Sequence, residues 1–468
     1  MSRHVLKIKK IYELLKLSLR GEEQDFTKGD LRVGMFVLAV PMVLEMIMES
    51  VFAIVDIFWV EKLGAHAVAT VGLTESVQTL VFAVGIGLGM GTTAMVARRI
   101  GEGDRDGARH AAVQAIYLGL AMSLPFMVIG QLMPEKVLQL MGAEAEVVEQ
   151  GASYTSVLLT GNVFIILIFL INAVFRGAGD SSLAMRSLWL ANAINLVLDP
   201  CLIFGWGPFP ELGVAGAAWA TNTGRAIGVV YQLWHLTKGS GRIHVGRGDR
   251  RLDLVVCWRL FRLSVWGVVQ FLLATSSWVF LMRIVAQFGS EVLAGYTIAI
   301  RLVMFTFLPA WGFSNSAATL VGQNLGAGDP DRAEAAVWLT GKTNTLFMTM
   351  IGVLFFAIPE WFIGFFSEDP IIVASAVTCL KVLSVGYPLY AMGMVLVQSF
   401  NGAGDTMSPT IINLWCYWAA EIPLAWTLAM PLGLGPKGVF MAIVVAESLV
   451  TVVGYLVFVR GRWKLKRV

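Results

Sequence analysis

Apolar residues in this chain come in uncharged blocks of about twenty or more, the length that crosses a hydrocarbon core roughly 30 Å thick. In lipid only helices or closed barrels satisfy the backbone polar groups. The blocks are too long and too evenly apolar for the alternating strands of a barrel, so they read as helices. Over 468 residues, 57% are hydrophobic and 14% charged, where an ordinary soluble chain carries about 25% charged residues. The sequence therefore predicts an all-α polytopic membrane protein. Its twelve apolar segments span 34–60, 67–97, 108–131, 151–174, 184–205, 213–236, 256–285, 293–322, 334–357, 376–400, 408–430 and 437–459.

An even number of spans puts both termini on one side, and the basic residues identify it. Arg3, Lys7, Lys9, Lys10, Lys16, Arg20, Lys28 and Arg32 precede the first segment. Arg98, Arg99, Arg105 and Arg109 lie between the second and third. Lys238, Arg242, Arg247, Arg250 and Arg251 join the sixth to the seventh, and Arg460, Arg462, Lys464, Lys466 and Arg467 end the chain. The opposite loops hold little beyond Lys62, Lys136 and Lys437. Positive charge favours the cytoplasmic side, so both ends are expected there. Residues 3–20 combine Leu and Ile with Lys at helical spacing. They are too charged to span and lack the apolar core and cleavage site of a signal peptide, and so are expected on the membrane surface. The net charge of +3 does not suggest a nucleic-acid partner, and Cys201, Cys257, Cys379 and Cys416 form no metal or disulfide pattern.

The chain repeats itself. Gly101-Glu-Gly-Asp104 returns as Gly326-Ala-Gly-Asp329, Gly177-Ala-Gly-Asp180 as Gly402-Ala-Gly-Asp405, and Gly213-Val214 as Gly438-Val439, always 225 residues on. Two six-helix lobes follow, residues 31–236 and 256–460. Segment 1–30 precedes them, a basic linker at 237–255 joins them, and a basic tail at 461–468 closes the chain. Six is even, so the halves enter the membrane alike, as parallel repeats.

These motifs also carry a resemblance. The paired Arg176-Gly-Ala-Gly-Asp180 and Asn401-Gly-Ala-Gly-Asp405, with Asp56-Ile-Phe-Trp-Val60, Gly101-x-Gly-Asp104 and Asn195-Leu-Val-Leu-Asp199-Pro200, resemble the multidrug and toxic compound extrusion (MATE) family from about residue 30 to 460. The resemblance implies a twelve-helix, two-lobe antiporter of the bacterial inner membrane. Such a protein exports amphipathic, often cationic compounds in exchange for Na⁺ or H⁺ by alternating access. It is not an enzyme, needs no cofactor or protein partner beyond the lipid bilayer, and suffices as a monomer.

Ionisable groups inside a membrane are functional candidates. Glu45, Glu49 and Asp56 of the first segment fall at roughly 0°, 40° and 20° around a helix, one stripe about 16 Å long. Such a stripe must face a cavity or the helix bundle, where it handles cations or protons or stitches helices together. Asn195 and Asp199 share a face, and Pro200, lacking an N–H, frees the carbonyl of Leu196. All are hard oxygen donors suited to an alkali cation. The resemblance implies a coupling site at Asp56, Asn195, Asp199 and Thr221, which would hold Na⁺ if Na⁺ is the coupling ion. It also implies substrate contacts at Tyr154 and Asn172, beside Glu45 and Glu49. Pro41 weakens the first helix and is the expected hinge. The second lobe is lopsided. Gln270 and Leu281 stand opposite Glu45 and Asp56, Leu424 stands opposite Asp199, and Glu421 and Glu447 read as isolated acids.

Other signals carry less. Ala336 stands where a phosphate-binding loop ending in Gly341-Lys342-Thr343 needs glycine. Gly85, Gly87, Gly89 and Gly91 read as close helix packing, and Arg247-Gly248-Asp249 as a solvated turn. The competing functions are a flippase for lipid-linked saccharides, whose cavity should be basic, and a membrane-embedded enzyme, whose extramembrane part should be larger.

Overall fold

The duplicated Gly-Asp pairs are punctuation for helices. Gly103, Gly179, Gly328 and Gly404 adopt φ of 77°, 88°, 77° and 82°, the left-handed turn that ends a helix and that glycine tolerates best. In three of the four places the following aspartate caps the next helix: Asp104 accepts from the backbone N–H of Gly107 at 2.8 Å, Asp180 from Leu183 at 3.3 Å and Asp329 from Arg332 at 2.9 Å. Each cap is worth about 1 kcal/mol. At the fourth, Asp405 instead accepts from the Ser408 hydroxyl at 2.7 Å and pairs with Lys466 at 3.1 Å.

The architecture comes from a computed structural model that describes residues 3–21, 24–238, 241–246, 249, 251–466 and 468. Its helices are α1 (Arg3–Arg20), α2 (Leu31–Glu61), α3 (Ala65–Gly101), α4 (Arg105–Leu132), α5 (Pro134–Leu140), α6 (Ala145–Thr160), α7 (Asn162–Ala178), α8 (Ser181–Phe204) and α9 (Val214–Lys238). After the linker come α10 (Leu254–Val285), α11 (Ser290–Gly326), α12 (Pro330–Ala357), α13 (Pro359–Ile363), α14 (Pro370–Gly402), α15 (Met407–Asn413), a π-helical stretch Leu414–Glu421, α16 (Ile422–Ala429) and α17 (Pro436–Val459). Among the described residues there is no strand, and nine helical stretches are long and apolar enough to cross a membrane. The other three expected segments are occupied by α9, α12 and the run from α15 to α16. The repeat holds to the residue in two helices. α3 and α11 are both 37 residues long and α4 and α12 both 28, each pair displaced by the same 225.

One difference from the sequence expectation stands out. The segment expected at 151–174 is two helices meeting at Gly161, where a Cβ would strike the Asn222 side chain of α9. Asn222 donates to the carbonyl of Val157 at 2.7 Å, so the break is held open by a neighbouring helix. α2 runs unbroken through buried Pro41. The carbonyl that Pro41 leaves unserved is that of Val37, and buried Ser18 of α1 donates to it at 3.1 Å. The amphipathic N-terminal helix is thus docked at the expected hinge, while Tyr12 and Leu19 stay exposed.

The linker and tail are packed, not loose. Ile243 and Val245 are buried, and Gln114 of α4 donates to the carbonyl of Arg251 at 2.8 Å. Arg247 and Gly248 of the expected Arg-Gly-Asp turn lie outside the described residues, as do Arg250 and Arg467; Asp249 accepts from the Gly246 N–H at 2.8 Å. Trp463 is buried on Phe458 with centroids 4.8 Å apart, and Lys464 pairs with Glu334 at 2.6 Å.

The lobes meet along one seam. A Cβ on Gly101 would collide with the Gln323 carbonyl, and one on Gly326 with the carbonyl of Arg98. At Gly87 a Cβ would lie 2.9 Å from Val268 Cα, and at Gly312 2.9 Å from Val43 Cα. Thr319 and Gln323 of α11 donate to the carbonyls of Arg176 and Gly177 at 3.0 and 2.9 Å. All of these contacts fall in the half of the molecule nearer Gly101 and Gly326.

Candidate functional site

The acidic stripe of α2 faces the N-lobe bundle, and each acid meets a different partner. Glu45, 1% exposed, accepts from the Asn172 amide at 3.1 Å and lies 3.9 Å from Arg176, both on α7. The Asn172 carbonyl oxygen accepts from Ser187 of α8 at 3.1 Å and from Gln232 of α9 at 2.7 Å. Four helices are therefore tied at this level by side-chain bonds, the stitching alternative made concrete. Glu49, one turn on, accepts from Asn192 of α8 at 3.1 Å.

Near the opposite end of α2 the chemistry changes. Asp199 is fully buried on α8, and Asn195, one turn before it, donates to its Oδ1 at 3.2 Å and to the Thr221 hydroxyl at 3.0 Å. The structure thus brings Thr221 of α9 to the pair. Asp56 lies within electrostatic reach of Asp199. Asp56 Oδ1, Asn195 Oδ1 and Asp199 Oδ2 are all buried and without a hydrogen-bond partner. Burying an unpartnered polar atom costs about 1–3 kcal/mol, and here three oxygens do so together. Such a set can take up a hard cation or a proton.

Two groups here went unread in the sequence. Arg225, one turn beyond Thr221 on α9, interacts electrostatically with Glu49, Asp56 and Glu75, the last on α3. It forms no ion pair within 4 Å among the described residues. A lone arginine inside an apolar segment, four residues from a candidate, was the available signal. Tyr154 of α6 is 4% exposed and feels Asp56, Glu75, Arg225 and Asp199. Of the four substrate-side candidates, Glu45, Tyr154 and Asn172 are covered in this conformation and Glu49 is partly buried.

The second lobe departs from its expectation. Glu421 and Glu447 are not isolated: the charge of Glu447 reaches Glu421, and Tyr417 donates to Glu447 at 3.2 Å. Glu421 is buried at the end of a π-helical stretch, whose turns hold an extra residue. Leu281 is buried in the apolar core of this lobe, so the counterpart of Asp56 is structural. Gln270, the counterpart of Glu45, borders a cavity of about 600 Å³. No group of three or more His, Cys, Asp or Glu side chains placed to hold a metal ion occurs among the described residues.

Known proteins bear on this geometry. Residues 41–201 and 268–427 match the MatE family, one copy in each lobe. A probable multidrug resistance protein NorM of Thermotoga maritima is 26% identical over 463 residues, 98% of this chain and 97% of that one. An FAD transporter of Shewanella oneidensis is 26% identical over 406 residues, 86% of this chain and 89% of its own. A solved outward-facing multidrug resistance MATE transporter superposes with a TM-score of 0.87 at 26% identity, covering 94% of this chain and 97% of that one.

Proposed function

Because the chain belongs to the MatE family of membrane transporters, we propose that it is a secondary antiporter that exports amphipathic organic compounds from the cell in exchange for H⁺ or Na⁺. The observation that carries this reading is the set of three buried, unpartnered oxygens on Asp56, Asn195 and Asp199. A multi-pass protein with such a set across the membrane can bind a coupling ion from one side and release it to the other. Thr221 completes the ion site by holding the Asn195 amide, and Arg225 offsets the surrounding acids when the ion has left. The relatives named for drug resistance and for FAD transport support a small organic cargo of mixed charge and apolar character.

The chain crosses the membrane twelve times with both termini cytoplasmic, α9, α12 and the α15–α16 run supplying the spans beyond the nine most apolar. On that orientation the seam at Gly101 and Gly326 closes the cytoplasmic mouth, and the described conformation faces outward. Glu45, Glu49, Tyr154 and Asn172 meet substrate in the other conformation, when the α2–α7–α8–α9 network opens about Pro41. The protein works as a monomer, with the coupling ion in place of a cofactor.

The test is efflux of a fluorescent organic cation from proteoliposomes under a pH gradient alone and then a Na⁺ gradient alone. Acceleration by either establishes antiport and identifies the ion. A dye indifferent to both gradients overturns the proposal.

A further inference from the structure

The cavity of about 600 Å³ is lined mainly by the C-lobe helices α10, α11, α14 and α17, with Met90 of α3 also on its wall. Its volume falls in the range that encloses a drug-sized molecule. Two charges of opposite sign line it. Glu447 of α17 is held by the Tyr417 hydroxyl, and Arg301 of α11 forms no ion pair among the described residues, not even with Glu447. Both stand eleven residues past the start of their helices, roughly 16 Å along each axis. Arg301 is exposed on the cavity surface, so its guanidinium is open to an anion that this chain does not supply.

Three further groups lining the cavity lack partners. Gln270 Oε1, Tyr296 Oη and Asn413 Oδ1 are buried and unbonded, and all three residues line the cavity. Their residues are 5%, 1% and 5% exposed. Buried polar groups are ordinarily satisfied, so these mark where a ligand's polar atoms belong. Trp278 and Trp311 supply flat apolar faces to the same cavity, and Trp311 and Gln398 also border a smaller cleft between the lobes, which gives the cavity a route to the centre of the molecule.

From this arrangement we infer that the C-lobe cavity binds zwitterionic aromatic amphiphiles, their anionic group on Arg301 and their cationic group toward Glu447. The inference deepens the export reading and rests on it. It separates two tasks by lobe: ion coupling at Asp56 and Asp199, cargo recognition at Arg301 and Glu447. A purely cationic compound satisfies one pole and leaves the arginine unserved.

Two dyes that differ by one ester test it. Tetramethylrhodamine carries a carboxylate and a delocalised cation, and its methyl ester carries the cation alone. Binding of each to the full chain in lipid nanodiscs is read by fluorescence anisotropy, with empty discs subtracted. The acid should bind more tightly than the ester by about tenfold, close to 1.4 kcal/mol. Arg301→Met should abolish that preference while keeping the ester's affinity, which also shows the variant to be folded. Arg301→Lys should restore part of the preference, and Glu447→Gln should weaken both dyes. Equal affinity of the wild type for acid and ester, or a preference that survives Arg301→Met, overturns the inference. If the ester alone binds and is exported, the inference fails and the export reading stands. If neither dye binds or moves, both fail.

Discussion

Alternating access requires the seam at Gly101 and Gly326 to open and close, and adding one methyl group there should bias the balance. A Cβ on Gly326 would collide with the carbonyl of Arg98 and come within 3.0 Å of Glu102 N and Gly101 Cα. These are backbone atoms at the ends of rigid helices, and no flexible side chain can step aside. Overpacking of this kind costs about 1–3 kcal/mol. The cost is confined to the closed seam, because the same methyl group meets nothing once the lobes part. Gly326→Ala should therefore shift the ratio of open to closed seam by roughly 5-fold to 150-fold. Gly326 does not require a positive φ, so alanine fits the helix itself. Nitroxide labels at Asp106 and Asp331, exposed residues 225 apart at the matching starts of α4 and α12, report the opening. Pulsed electron–electron resonance would be recorded in a background without Cys201, Cys257, Cys379 and Cys416. The expected result is transfer of population from a short to a longer distance in Gly326→Ala, and likewise in Gly101→Ala. Identical distance distributions in wild type and both variants would refute the reasoning that this seam is the moving gate.

Two further perturbations probe the N-lobe. Ser18→Ala leaves the carbonyl of Val37 buried and unserved, which should destabilise the protein by about 1–3 kcal/mol. Pro41→Ala supplies the missing N–H and should rescue that loss in melting experiments while still impairing efflux, whereas full efflux from Pro41→Ala would remove the hinge role. Asn172→Ala strips Glu45 of its one hydrogen bond, leaving Arg176 at 3.9 Å. It should lower the melting temperature by an amount that Glu45→Gln largely cancels, and simple additivity in the double mutant would show that the pair is not coupled.

The helices and their duplication were legible because lipid imposes one rule on every span, and because Gly-Asp pairs end one helix and begin the next wherever they recur. The ion-site candidates were legible for a related reason: a carboxylate inside an apolar segment is conspicuous at any position, and helical spacing puts Asn195 and Asp199 on one face. What escaped the sequence depends on contacts between segments far apart. The break at Gly161 is set by Asn222, the docking of α1 by a carbonyl that Pro41 frees, and the burial of Trp463 by Phe458. Glu421 and Glu447 read as isolated because 26 positions separate them, and the charge of Glu447 reaches Glu421 only once α17 packs near the π-helical stretch. Arg225 and Glu75 were visible as charges in apolar segments but meet Asp56 only when α3 and α9 pack against α2.

The central claim is that the oxygens of Asp56, Asn195 and Asp199 carry the coupling ion, so that export is driven by it. The most direct measurement is accumulation of a fluorescent cargo against its own gradient in proteoliposomes given a step in pH or Na⁺. Wild type and Asp199→Asn would be compared, with dye exchange at equal concentrations followed in parallel. The account predicts that Asp199→Asn keeps exchange, since its cargo cavity is intact, and loses uphill accumulation. Accumulation by Asp199→Asn at the wild-type rate would contradict it.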